Sequence, residues 1–106
     1  MAHYMFRAHY TQTGIQGLLK EGAASRVKTL TEVVANVGGR AESMYWAFGD
    51  EDFVMIAELP NNAAAAALAT RVSATGTSGV STTVLLTADE VDAARAIDVL
   101  YRAPGA

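Results

Sequence analysis

The chain has no cysteine. That excludes disulfides, thiolate metal sites and a cysteine nucleophile, and it fits a reducing compartment. Basic residues are few: eight, scattered, within a net charge of −3. A nucleic-acid footprint needs a basic patch or stripe, so no nucleic-acid partner is expected. No apolar run approaches the length of a membrane span, so no membrane partner is expected either. The opening residues lack the basic-then-apolar pattern of a secretion signal, and a cytoplasmic protein is expected. There is no phosphate-loop lysine, no dinucleotide glycine fingerprint and no supported Ser-His-Asp arrangement. No cofactor is implied.

What is present is apolar and periodic. Hydrophobic residues make up 51% of 106 residues, enough for one core in a single domain spanning 1–106. The stretch Glu42–Pro60, ESMYWAFGDEDFVMIAELP, reads as two strands about the acidic turn Gly49-Asp50-Glu51-Asp52. Pairing Gly49 with Asp52 sets Phe48 opposite Phe53, Trp46 opposite Met55 and Met44 opposite Ala57. Period-two alternation then puts Met44, Trp46, Phe48, Phe53, Met55, Ala57 and Leu59 on a core face. Ser43, Tyr45, Ala47, Val54, Ile56 and Glu58 fall on the other.

The rest of the chain supplies partners for that hairpin. Ala2–Tyr10 alternates as a strand, with Tyr4, Phe6, Ala8 and Tyr10 facing the core and His3, Met5, Arg7 and His9 facing away. Apolar residues from Ile15 to Val37 recur at helical spacing. Gly22 interrupts them, which predicts a short first helix and a main helix from about Ala23, stopped by Gly38-Gly39. Thr11 or Thr13 is the expected cap. Asn61 or Asn62 opens a helix over 63–74 that faces inward with Leu68 and Val72. Gly76–Gly79 reads as a connection and Val80–Leu86 as a strand. Thr87-Ala88-Asp89-Glu90 has capping-box spacing, so a C-terminal helix starts there, anchored by Val91, Ala94 and Ile97. The order predicts an α+β, ferredoxin-like βαββαβ fold. It has a four-stranded antiparallel sheet, helices on one face and an extra C-terminal helix.

Helices on one face leave the other bare. By parity that face holds Met5, Tyr45, Val54, Ile56 and Leu85, a patch of the size that marks a binding surface. A homo-oligomer is expected, most simply a twofold dimer; the alternative is a C-terminal helix folded across the sheet.

The same face collects the residues able to do chemistry. Arg7 or His9 is expected across from Glu58. His9 beside a carboxylate is the candidate general base, and Arg7, Tyr45 and Glu58 are candidate ligand-binding residues. The plainer reading is an Arg7–Glu58 ion pair within the oligomer interface. His3 and His9 stand about 20 Å apart along one strand and cannot share a metal within a chain, so no metal site is expected. Three functions stay open: an oligomer binding a small molecule on this face, a cofactor-independent enzyme of the oxygenase or isomerase type using His9, and an assembly or regulatory oligomer without a pocket.

The hairpin MYWAFGDEDFVMIAELP resembles the GYD-domain family, small bacterial proteins of about this length. Gly49 and Asp52 match the ends of that family's Gly-x-Tyr-Asp turn, and Tyr45, Glu58 and Pro60 fit around it. Thr11-x-x-Gly14-Ile15, the Gly38-Gly39 stop and the helix start at Thr87 also fit, so the resemblance runs from about Tyr4 to Ala96. Glu51 occupies the position of the family's tyrosine. The resemblance implies a ferredoxin-like fold of the dimeric α/β-barrel kind and carries no specific reaction with it.

Overall fold

A computed structural model describes all of residues 1–106. Its elements are β1 (Ala2–Tyr10), α1 (Gln12–Glu21), α2 (Ala23–Asn36), β2 (Arg40–Trp46), β3 (Phe53–Leu59), α3 (Asn62–Ala74), β4 (Ser78–Leu85) and α4 (Ala88–Arg95). The four strands form one antiparallel sheet in the order β2-β3-β1-β4. This is the ferredoxin-like arrangement expected, with α4 added at the end.

Local chemistry sets the boundaries. Thr11 caps α1, accepting the Gly14 N–H at 3.2 Å. Gly22 separates α1 from α2 at φ 92°, a left-handed angle that a side chain resists. Asn61 caps α3 by accepting the Ala64 N–H at 2.9 Å. At α4, Thr87 and Glu90 cap each other's backbone reciprocally.

Cross-strand rows make the core. Tyr4 lies level with Ala57 and Val84, Phe6 with Met55 and Thr82, and Ala8 with Phe53 and Val80. Beneath α2 and α3 the buried set is Tyr4, Phe6, Ala8, Val34, Phe53, Met55, Ala57, Leu59, Ala65 and Leu68. The buried Tyr4 hydroxyl donates to Asn62 Oδ1 at 2.6 Å, tying β1 to the start of α3. Trp46 packs against Phe53 with the rings tilted by 56° and their centroids 4.9 Å apart, and it donates Nε1–H to Tyr10 Oη at 3.2 Å.

Three expectations are corrected. The hairpin register is two residues off: Trp46, not Phe48, faces Phe53, and Met44 faces Met55. Asp52 is the reason. Its N–H donates to the Ala8 carbonyl, its carbonyl accepts the Ala47 N–H, and its carboxylate accepts the Tyr10 N–H. Those bonds start β3 at Phe53 and leave Phe48 in the loop, fully exposed. The fourth strand begins at Ser78, so Ser78 and Gly79 belong to the sheet rather than to a connection. Finally, α4 buries none of its residues, and its expected anchors Val91 and Ile97 are exposed. It does not cross the sheet.

Candidate functional site

The bare face of the sheet is ordered in rows running β4-β1-β3-β2. The first row is Leu85, His3, Glu58 and Arg40; the second is Thr83, Met5, Ile56 and Ser43; the third is Ser81, Arg7, Val54 and Tyr45. His9, opposite Gly79, begins a fourth. The apolar residues predicted for this face therefore lie on it: Met5, Val54 and Ile56 on the two central strands, Tyr45 and Leu85 on the edge strands.

The first row is a charged border. His3, not Arg7 or His9, sits across from Glu58. A β-bulge between Ala41 and Ser43 inserts Glu42 into β2. Arg40 and Glu42 share a face by ordinary alternation, and the extra residue at the bulge is what brings Ser43 and Tyr45 to that same face. His3 Nδ1 lies 3.4 Å from Glu42 and its Nε2 lies 3.6 Å from Glu58. Arg40 reaches the same two carboxylates at 3.6 and 3.3 Å. Donor atoms of His3, Glu42 and Glu58 fall within 4.8 Å of one another, the spacing of a metal-ligand set. Yet each imidazole nitrogen faces a different carboxylate, and Arg40 already supplies the positive charge. The four side chains form an ion-pair network when His3 is protonated.

The third row is unsettled. Arg7 lies about 13 Å along the strands from Glu58, so the structure does not bring the two together. Arg7 makes no ion pair in the chain, and its Nε is shut away from solvent without a hydrogen-bond partner. Tyr45 stands on the same row, on the far side of Val54 and about 10 Å from Arg7 across two strand spacings. Its side chain is exposed. The pair can hold an anion at one end of a molecule and a hydrogen-bond acceptor or ring at the other.

His9 belongs to the turn, not to Glu58. Its Nδ1 lies 2.9 Å from the Asp50 carbonyl and 3.3 Å from the Asp52 carboxylate, with the side chain 67% exposed. Asp52 is the structural centre of that turn, bonded on three sides, whereas Gly49 lies exposed at the tip.

Sequence reasoning did not reach the bulge at Glu42, nor the first-row pairing, because neither leaves a period in the sequence. It also missed two adjoining cavities on the helix side, of about 70 and 280 Å³, which lie between α1, α2 and α3.

No curated protein and no solved structure matches the chain. A family model described as the GYD domain matches residues 4–94. That span takes in β1 from Tyr4, the other three strands, the Asp52-centred turn and the capping box of α4, so the chain belongs to the GYD domain family.

Proposed function

We infer that this protein works as a homo-oligomer, closing its bare sheet face against a second copy and binding a small molecule there. The molecule carries an anionic group to Arg7 and lies along Val54 toward Tyr45. The observation that carries the reading is Arg7: a cation without a counter-ion, its Nε out of water, between Val54 and Ser81 on the bare face. A buried unsatisfied donor costs about 1–3 kcal/mol, and a partner from outside the chain removes that cost.

Two surfaces support the oligomer. Three rows of four strands span about 400 Å², roughly half of the 800 Å² per partner that a stable interface uses. The remainder is available in the segment after α4, where Ile97, Val99, Leu100 and Tyr101 are all exposed. A cytoplasmic setting fits the cysteine-free composition.

Native mass spectrometry of the purified protein tests both parts. A dimer or larger ring, with an anionic ligand carried through and lost in Arg7→Gln, is the expected result. A lone subunit at high concentration removes the reading. The enzymatic alternative based on His9 has less to stand on, since His9 is exposed at the end of β1 and its Nδ1 faces the Asp50 carbonyl and the Asp52 carboxylate of the turn rather than Glu58.

A further inference from the structure

The helix layer is not closed. α2 packs over β2, whereas α3 packs over β4 and β3, and the two helices make little direct contact with each other. The centre of the sheet is therefore roofed only in part. A cavity of about 70 Å³ opens there, with Phe6, Phe53 and Met55 in its floor and Leu30, Leu68 and Val72 in its walls. It adjoins an outer, polar compartment of about 280 Å³ bordered by Thr13, Gly17, Glu21 and Thr75. Arg26, Tyr10, Val72 and Thr77 line both compartments. Arg26 is the one cation in either.

Two glycines of α1 face this region, and they differ. A Cβ on Gly14 would lie 1.9 Å from the Thr77 carbonyl oxygen, so that glycine is needed for α1 to approach the start of β4. Gly17 has no such reason, since a Cβ there would meet nothing within 4 Å. Glycine inside a helix weakens it, and packing does not require this one. What Gly17 leaves is space at the mouth of the outer compartment.

Arg26 is held loosely. Its Nη1 lies 3.5 Å from Glu21 Oε1, with both side chains about one-third exposed. Glu21 has another partner, because Ser25 Oγ donates to its Oε2 at 2.8 Å. An incoming anion can take Arg26 without leaving Glu21 bare. The inner cavity is about half the 150 Å³ of a dry cavity that admits benzene, which suits a short aliphatic chain rather than a ring.

We propose that the cleft between α1, α2 and α3 binds a short-chain aliphatic carboxylate, its chain over Phe6, Phe53 and Met55 and its carboxylate on Arg26. This site is separate from the Arg7 face and stands or falls without it.

The test is an NMR titration of the full-length protein with acetate, propanoate, butanoate and pentanoate, with pentan-1-ol as the uncharged control. Saturable shifts at Leu30, Leu68, Val72 and Thr77 are expected. Affinity should rise about fourfold per added methylene until the inner cavity is filled. Pentanoate should bind about tenfold more tightly than the alcohol, and Arg26→Gln should abolish that preference. Gly17→Phe, at a position where an added Cβ meets nothing within 4 Å, should fold normally and place its ring across the mouth of the outer compartment. Arg7→Gln should bind as the unaltered protein does. Absence of saturable shifts at these residues, or undiminished binding by Gly17→Phe, overturns the site. Equal affinity for acid and alcohol overturns the choice of ligand. Loss of binding in Arg7→Gln would move the acid to the sheet face and overturn the cleft.

Discussion

Arg7 and Tyr4 lie on opposite faces of β1 with opposite settlements. The Tyr4 hydroxyl is 1% exposed as part of its residue and has its acceptor on Asn62. Tyr4→Phe removes one buried hydrogen bond while leaving Asn62 at the surface, so the loss should be about 1 kcal/mol, roughly 4–8 °C in Tm for a domain of this size. Arg7 has no acceptor to lose. Arg7→Met keeps the aliphatic stem and deletes the orphaned donor, so the ligand-free chain should gain about 1 kcal/mol in urea unfolding. A stabilised Arg7→Met variant that no longer retains an anionic ligand would mark Arg7 as a residue kept for binding at the expense of stability. A destabilised variant would mean that the guanidinium already has its partner within the chain.

At the scale of elements, α4 is held by its first turn and by little else. Glu90 accepts from the Thr87 N–H at 3.0 Å and from its hydroxyl at 3.1 Å. The backbone bond, then the hydroxyl bond, hold the Glu90 carboxyl below its ordinary value, with lesser help from the charges of His3 and the N-terminus. A carboxylate whose folded-state pKa is depressed contributes fully above its ordinary range, and the contribution disappears as pH falls through the lowered value. Helical Cα shifts of Ala88–Arg95 should therefore hold at neutral pH and decline on acidification. Thr87→Ala should lower them at every pH, and Glu90→Gln should flatten the dependence. An α4 whose shifts ignore both substitutions would show that the cap is not what keeps it helical. This capping box was legible in the sequence because its two members sit at a fixed spacing, as were Asn61 before α3 and the glycine break at Gly22. The strand faces were legible from alternation alone. The hairpin register was not. Both Phe48 and Trp46 satisfy the same parity opposite Phe53, and only the bonds from Asp52 to Ala8 and Tyr10 choose between them. The bulge at Glu42 and the gap between α2 and α3 arise from tertiary geometry, so no local pattern announces them.

The molecule as a whole is more extended than its length requires. Its Cα radius of gyration is 16.9 Å, against about 13 Å for a compact chain of this size. Its long dimension is 57 Å, beside 33 and 22 Å across. The excess fits the C-terminal arm: α4 buries nothing, and Ile97, Val99, Leu100 and Tyr101 beyond it expose large apolar side chains, Leu100 99% and Tyr101 76%. An arm of this kind, left in water, gains nothing to offset the entropy of ordering it. Burial of Leu100 and Tyr101 would contribute about 1.5–3 kcal/mol each, enough to order the segment against a neighbour. Trypsin can report on this, because Arg95 and Arg102 bracket the arm. If a second copy covers it, cleavage at both should slow as protein concentration rises. Ile56→Asp puts a charge in the second row of the bare face, where Ile56 lies between Met5 and Ser43. In that variant the subunits should separate, and cleavage should become fast at every concentration. Cleavage of the unaltered protein that is rapid and independent of concentration would leave the arm uncovered, and with it about half of the interface.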